Sequence, residues 1–238
     1  MRVRSERVSA IPVGVLYIAA TVAGVLSMVA GGSLLGGPGI SADIAANEAQ
    51  EIVAAFFLLV MAVTVAGVAF MMYPILMQDA DSKVKEGLSL WYVGSRITEG
   101  AIFVVAVLGL LSLLALSKEL ASAGGSGASG LQAAGTMMWN AYTWASILAQ
   151  TVFCVGAVML YYLLYVSRRV PRWLSIWGLI AAPLMLVAGL SFAVTGDPNP
   201  AFSSVLYAPL GLQEMVLAVW LIARGFNPPA DRGLEVAQ

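Results

Sequence analysis

No histidine occurs in the 238 residues, and the single cysteine, Cys154, sits inside an apolar stretch. Without histidine the chain cannot by itself build a bis-His haem, a His-ligated zinc or copper centre, or a Ser/His or Cys/His nucleophilic pair. One cysteine supplies neither an intrachain disulfide nor a cysteine-ligated cluster, so Cys154 reads as packing. Charge is also scarce, at 11% of residues, against about 25% in an ordinary soluble domain. The net charge of −1 and pI near 5.4 leave no basic footprint of the kind nucleic-acid binding requires. Every lysine lies between the apolar runs, which leaves none for a Schiff base inside one. No cofactor and no metal is expected.

Apolar residues are what the chain has in abundance: 60% of the total, with a mean hydropathy of +0.89. A bilayer core about 30 Å thick takes roughly 20 helical residues, each pairing its backbone within its own segment. Six segments qualify, near residues 11–31, 52–76, 91–117, 140–166, 173–195 and 204–223. The expected fold is an all-α, polytopic membrane helix bundle, a single domain over 1–238 with the lipid bilayer as its partner. Residues 1–31 read as a span and not as a cleaved signal peptide, because the apolar run is long for an h-region of roughly 7–15 residues.

Lysine and arginine are retained on the cytoplasmic side near span ends. Arg2, Arg4, Arg7, Lys83, Lys85, Arg168, Arg169, Arg172, Arg224 and Arg232 all fall on one side, with only Lys118 opposite and Arg96 within a span. Both termini are therefore expected inside, in the cytoplasmic membrane. The outer loops carry Asp43, Glu48, Glu51, Glu119 and Asp197 instead. Trp91 and Tyr92, Trp139 and Tyr142, Tyr161 and Tyr165, Trp173 and Trp177, Tyr207 and Trp220 lie near span ends and read as headgroup anchors. Ala121 to Gly135, rich in Gly, Ser and Ala, reads as a flexible outer linker. The first outer loop, Gly36 to Glu51, suggests a short surface helix capped at Ser41. Pro171 suits the first turn of the fifth span, making the fourth and fifth a tight antiparallel pair.

Three ionisable side chains fall well inside spans: Arg96 and Glu99 on the third, Glu214 on the sixth. A charge at that depth costs at least about 2.5–3.5 kcal/mol, so such groups face the bundle interior and find partners. Arg96 and Glu99 are three apart, on one helical face within pairing reach. At helical rise the three stand roughly 8, 12 and 15 Å from the inner ends, at depths that allow them to meet. One arginine against two glutamates leaves a net negative charge or a proton held by a carboxylate, the chemistry of a proton or cation site. Pro209 and Gly211, just before Gln213, suggest a break in the sixth helix of the kind that lines transporter sites.

Other features carry less. Gln150 suits interhelical hydrogen bonding, and Ala20/Gly24 and Gly189/Ala193 have the spacing of close helix packing. The eleven methionines, Met71 and Met72 among them, are apolar filler without Cys or His support for copper. The buried charges thus point to a small transporter or a proton- or ion-coupled protein. The alternative is a structural or partner-binding membrane subunit, homo-oligomeric or with another partner, in which the charges only fix helix packing. An enzyme would have to run on carboxylates alone.

Four stretches resemble a known family. They are Ser5-Glu-Arg-Val-Ser with Gly14-Val-Leu-Tyr17; Arg96-Ile-Thr-Glu99; Ser167-Arg-Arg-Val-Pro-Arg-Trp-Leu-Ser-Ile-Trp-Gly178; and Pro209-Leu-Gly-Leu-Gln-Glu214 through Trp220-Leu-Ile-Ala-Arg-Gly-Phe-Asn227. Together they look like the bacterial and archaeal membrane family catalogued as domain of unknown function 4386. The resemblance spans nearly the whole chain. It implies one six-helix domain in the cytoplasmic membrane and no activity, and it takes in the positions of Arg96, Glu99 and Glu214.

Overall fold

The computed structural model describes the backbone of residues 2–32, 40, 42–123, 127–195 and 200–228. Among these the secondary structure is all helical: α1 (Arg2–Ala30), α2 (Ala42–Ala46), α3 (Glu48–Gln78), α4 (Lys83–Ser122), α5 (Ala128–Ser167), α6 (Arg172–Thr195) and α7 (Pro200–Ala223). All but the short α2 are long and apolar enough to cross a membrane, which makes six such helices. Their large apolar side chains also point outward, as Val22, Phe56, Val105, Leu108, Ile180 and Val219 do. Exposed side chains of this kind are stable against acyl chains, not water. The chain is a multi-pass integral membrane protein.

The helices outrun the apolar windows. α4 and α5 each have 40 residues, or about 60 Å of helix against a hydrocarbon core of about 30 Å. Glu48 and Glu51, expected in a loop, form the first turn of α3, where carboxylates favour the helix dipole. Glu119 likewise belongs to α4. Ser82 starts α4 by accepting the Lys85 amide on its hydroxyl at 3.4 Å, an N-cap.

The linker expected over Ala121 to Gly135 is corrected most. α4 continues to Ser122 and α5 starts at Ala128. Ala133 and Ala134 are strong helix formers, and a tertiary anchor secures the turn: the Gln132 side-chain amide donates to the Ile40 carbonyl at 3.1 Å. Gly135 lies so near Ile40 that a Cβ would stand 2.7 Å from its Cγ2. α2 is the short helix expected in the first outer loop, with Ile44 buried. The capping residue Ser41, the turn at Gly36, and Asp197 and Arg232 lie outside the described residues.

The chain forms two compact units. One comprises Ala20–Val63 and Gly100–Ala149, cored by Ile40, Ile44, Leu58, Leu110 and Leu113. Within it Lys118 pairs with Glu48 at 2.8 Å. The other comprises Met1–Ala19, Thr64–Glu99 and Gln150–Gln238. Its core holds Val13, Val68, Met72, Leu160, Leu164, Leu174, Leu217 and Leu221, and within it α6 packs along α7. Every candidate site residue is in this second unit.

Candidate functional site

Helical periodicity builds the site from one face of α4. Tyr92, Arg96 and Glu99 follow one another at spacings of four and three, so they form a stripe. All three are buried, with exposures of 1%, 4% and 3%. Arg96 Nη1 stands 3.0 Å from Glu99 Oε2. The guanidinium carbon lies 4.8 Å from the centre of the Phe153 ring on α5, a cation–π contact strengthened by the absence of water.

Glu214 of α7 comes to the same cluster without closing a second ion pair. Its charge acts on Arg96 and Glu99, and on the phenols of Tyr17 and Tyr161. No hydrogen bond joins it to the described residues. Glu214 is itself only partly buried.

Three tyrosines complete the surroundings. Tyr17 on α1, Tyr92 on α4 and Tyr161 on α5 are 3%, 1% and 1% exposed. Tyr92 and Tyr161 therefore do not serve as the headgroup anchors expected of them, whereas Trp91 and Trp173 face outward at 62% and 52%. Tyr161 is positioned by its neighbour: Gly178 on α6 has no side chain, and a Cβ there would stand 2.5 Å from the Tyr161 ring. The Tyr161 hydroxyl donates to Gln213 Oε1 at 2.5 Å, and Gln213 Nε2 donates to the Leu174 carbonyl at 3.1 Å.

The other supporting residues stand apart from the charges. Gln150 donates to the Met185 carbonyl of α6 at 2.8 Å, beside the bare face of Gly189. Pro209 does not break the sixth spanning helix, because α7 runs through it from Pro200 to Ala223. It removes only the one amide that would have bonded the Val205 carbonyl. A groove of about 580 Å³ beside the α4 stripe is lined by Trp91, Gly94, Ser95, Thr98, Thr151 and Val155, and by neither glutamate.

A second buried cation was not expected from the arginine count. Arg169, in the connection after α5, is 0% exposed. Its Nε donates to Asp79 Oδ2 at 2.5 Å, Nη2 to Gln78 Oε1 at 2.9 Å and Nη1 to the Asn227 carbonyl at 3.2 Å. In return Asn227 donates its backbone amide to the Arg169 carbonyl at 2.8 Å and its side-chain amide to the Arg168 carbonyl at 2.9 Å. Arg168 adopts the left-handed conformation, φ 55°, that turns the chain out of α5. This clamp joins the end of α3, the α5–α6 turn and the segment after α7.

The chemistry of the first cluster follows from its charges. One guanidinium, which stays protonated, faces two carboxyl groups among neutral phenols. Among the described residues no group of three or more His, Cys, Asp or Glu is arranged to hold a metal ion. Neither the curated proteins nor the solved structures offer a match to this chain. A family model does match, over residues 13–225, which takes in Tyr17, Tyr92, Arg96, Glu99, Tyr161, Arg169 and Glu214; the chain belongs to the domain of unknown function 4386 family.

Proposed function

We propose that this protein is a small proton-coupled membrane transporter whose coupling site is Arg96, Glu99 and Glu214. The reading rests on one observation: a buried arginine pairs with a buried glutamate on one helix face, and the charge of a second, partly buried glutamate acts on both. An uncompensated charge at membrane depth costs at least about 2.5–3.5 kcal/mol. The neutral form of the cluster therefore carries one further positive species, and a proton on a carboxyl group meets that need with no added volume. Gaining and losing that proton changes the charge linking α4 to α7, which is what coupling requires. The arginine and lysine distribution supports an orientation with both termini inside, in the cytoplasmic membrane.

A role confined to packing fits the geometry less well. Arg96 and Glu99 lie on the same helix, so their ion pair joins no two helices. Polar ties between helices are made elsewhere, by Gln150 with the Met185 carbonyl and Tyr161 with Gln213, and Arg169 with Asp79 ties the α5–α6 connection to the end of α3.

Infrared spectra of the purified protein in lipid vesicles, titrated with pH, test the reading. The wild type is expected to show the carbonyl stretch of a protonated carboxyl group, and Glu99→Gln or Glu214→Gln to remove or shift it. A folded wild type with no such band at any pH would refute the proposal.

A further inference from the structure

At the ends of the spans in the second unit, some cations already have a counter-charge and others do not. Lys83 pairs with Glu86 at 2.9 Å, Lys85 with Asp81 at 2.8 Å, and Arg169 with Asp79. Arg168, Arg172 and Arg224 are exposed and pair with no carboxylate among the described residues. The fold gathers these three at one end. Arg168 and Arg172 flank the α5–α6 turn, and Asn227 donates to the Arg168 carbonyl at 2.9 Å and to the Arg169 carbonyl at 2.8 Å, which ties the segment just beyond Arg224 to that turn.

Arg172 is held in place by an aromatic neighbour. Its guanidinium carbon lies 5.2 Å from the centre of the Tyr165 ring on α5, a cation–π contact across the seam between α5 and α6. Such a contact uses the face of the guanidinium and leaves its N–H fork for an anion. Trp173, 52% exposed, follows it at the start of α6 and suits the headgroup layer.

An apolar groove of about 200 Å³ lies along the same seam, lined by Cys154, Val158 and Met159 of α5 and by Ala182, Pro183 and Leu186 of α6. Helical register places it under the arginine. Pro183 follows Arg172 by eleven residues, three turns within about 20°, and Val158 precedes Tyr165 by seven, two turns within about 20°. Eleven residues rise about 16 Å, roughly half of the hydrocarbon core. The rim of the seam is thus cationic and its depth is oily. A soluble anion would leave the groove unmatched, and an uncharged lipid would leave the arginines unmatched.

We propose that the α5–α6 seam binds an anionic phospholipid, its phosphate facing Arg172, Arg168 and Arg224 and one acyl chain seated in the groove between Val158 and Pro183. This surface is separate from the proposed coupling residues and does not depend on the proton-coupled reading. Each cation at the headgroup layer is expected to strengthen binding about fivefold.

The test is thermal unfolding of the full-length protein in neutral detergent micelles, titrated with phosphatidylglycerol, with phosphatidylcholine of the same chains, and with inorganic phosphate. Phosphatidylglycerol should raise the Tm in a saturable way, and the other two should not. Arg172→Gln should raise the half-saturating lipid concentration about fivefold. Val158→Trp, at a position 37% exposed, fills the groove and should also weaken the response. Lys83→Gln, whose cation already has Glu86, should leave it unchanged. Should Arg172→Gln fail to insert, Arg224→Gln takes its place. Equal stabilisation by phosphatidylcholine, or by phosphate alone, overturns the proposal. So does a wild-type response in Arg172→Gln or Val158→Trp, or a loss in Lys83→Gln as large as that in Arg172→Gln.

Discussion

Replacing Arg169 with methionine removes a charge from the most completely buried cation among the described residues while keeping its length and its backbone acceptor. Asp79 would lose its partner, and Gln78 and the Asn227 carbonyl one donor each. Removing one member of a buried ion pair costs about 3–5 kcal/mol, most of it the uncompensated charge left behind. Asp79 keeps 12% of its side-chain surface exposed, which offers some hydration, so the lower end of about 3 kcal/mol is expected. Adding Asp79→Asn removes the stranded charge and should restore at least half of the loss. The assay is reversible unfolding in mixed micelles, followed by helical circular dichroism, as a double-mutant cycle. A single-variant loss below about 1 kcal/mol, or no coupling between the two sites, would refute the clamp. Arg169→Lys should not rescue, since one ammonium cannot reproduce a planar fork across three acceptors.

Glycine substitutions separate close helix contacts from open faces. Gly178→Ala would drive a methyl into the Tyr161 ring, so a loss of about 1–3 kcal/mol is expected from overpacking. Gly211→Ala meets nothing within 4 Å and should stabilise α7 by about 0.5–1 kcal/mol through helix propensity. Equal effects in thermal unfolding would contradict the packing described. At the cluster, Arg96→Gln leaves Glu99 buried beside no cation, and a loss of about 3 kcal/mol is expected. Combining it with Glu99→Gln should recover most of that loss; unchanged stability in the single variant would mean the pair is not buried as described.

Spans and charges were legible for the same reason: in a chain this apolar, both a 20-residue hydrophobic run and an interruption such as Arg96 or Glu214 are conspicuous. Helix ends were not, because beyond the hydrocarbon region hydropathy stops reporting on structure. Lys83 to Leu90 and Ala128 to Thr136 are helical without being apolar enough to qualify as span. The glycines of the supposed linker hid an ordered segment whose anchor, the Ile40 carbonyl, is remote in sequence.

Buried tyrosines escaped notice because an amphipathic ring suits the headgroup layer as well as a polar interior. Only spacing offered a signal, Tyr92 being one turn before Arg96. Arg169 escaped because counting arginines for orientation treats each as a surface charge. Two of the family-like stretches, one holding Arg168 and Arg169 and one ending at Asn227, are nonetheless segments that the clamp joins.

The most direct measurement is proton movement into reconstituted vesicles that enclose a pH-sensitive dye, under an imposed gradient. The account predicts flux in the wild type and its loss in Glu214→Gln, with insertion and helical content unchanged. Equal flux from the wild type and a correctly inserted Glu214→Gln would contradict it.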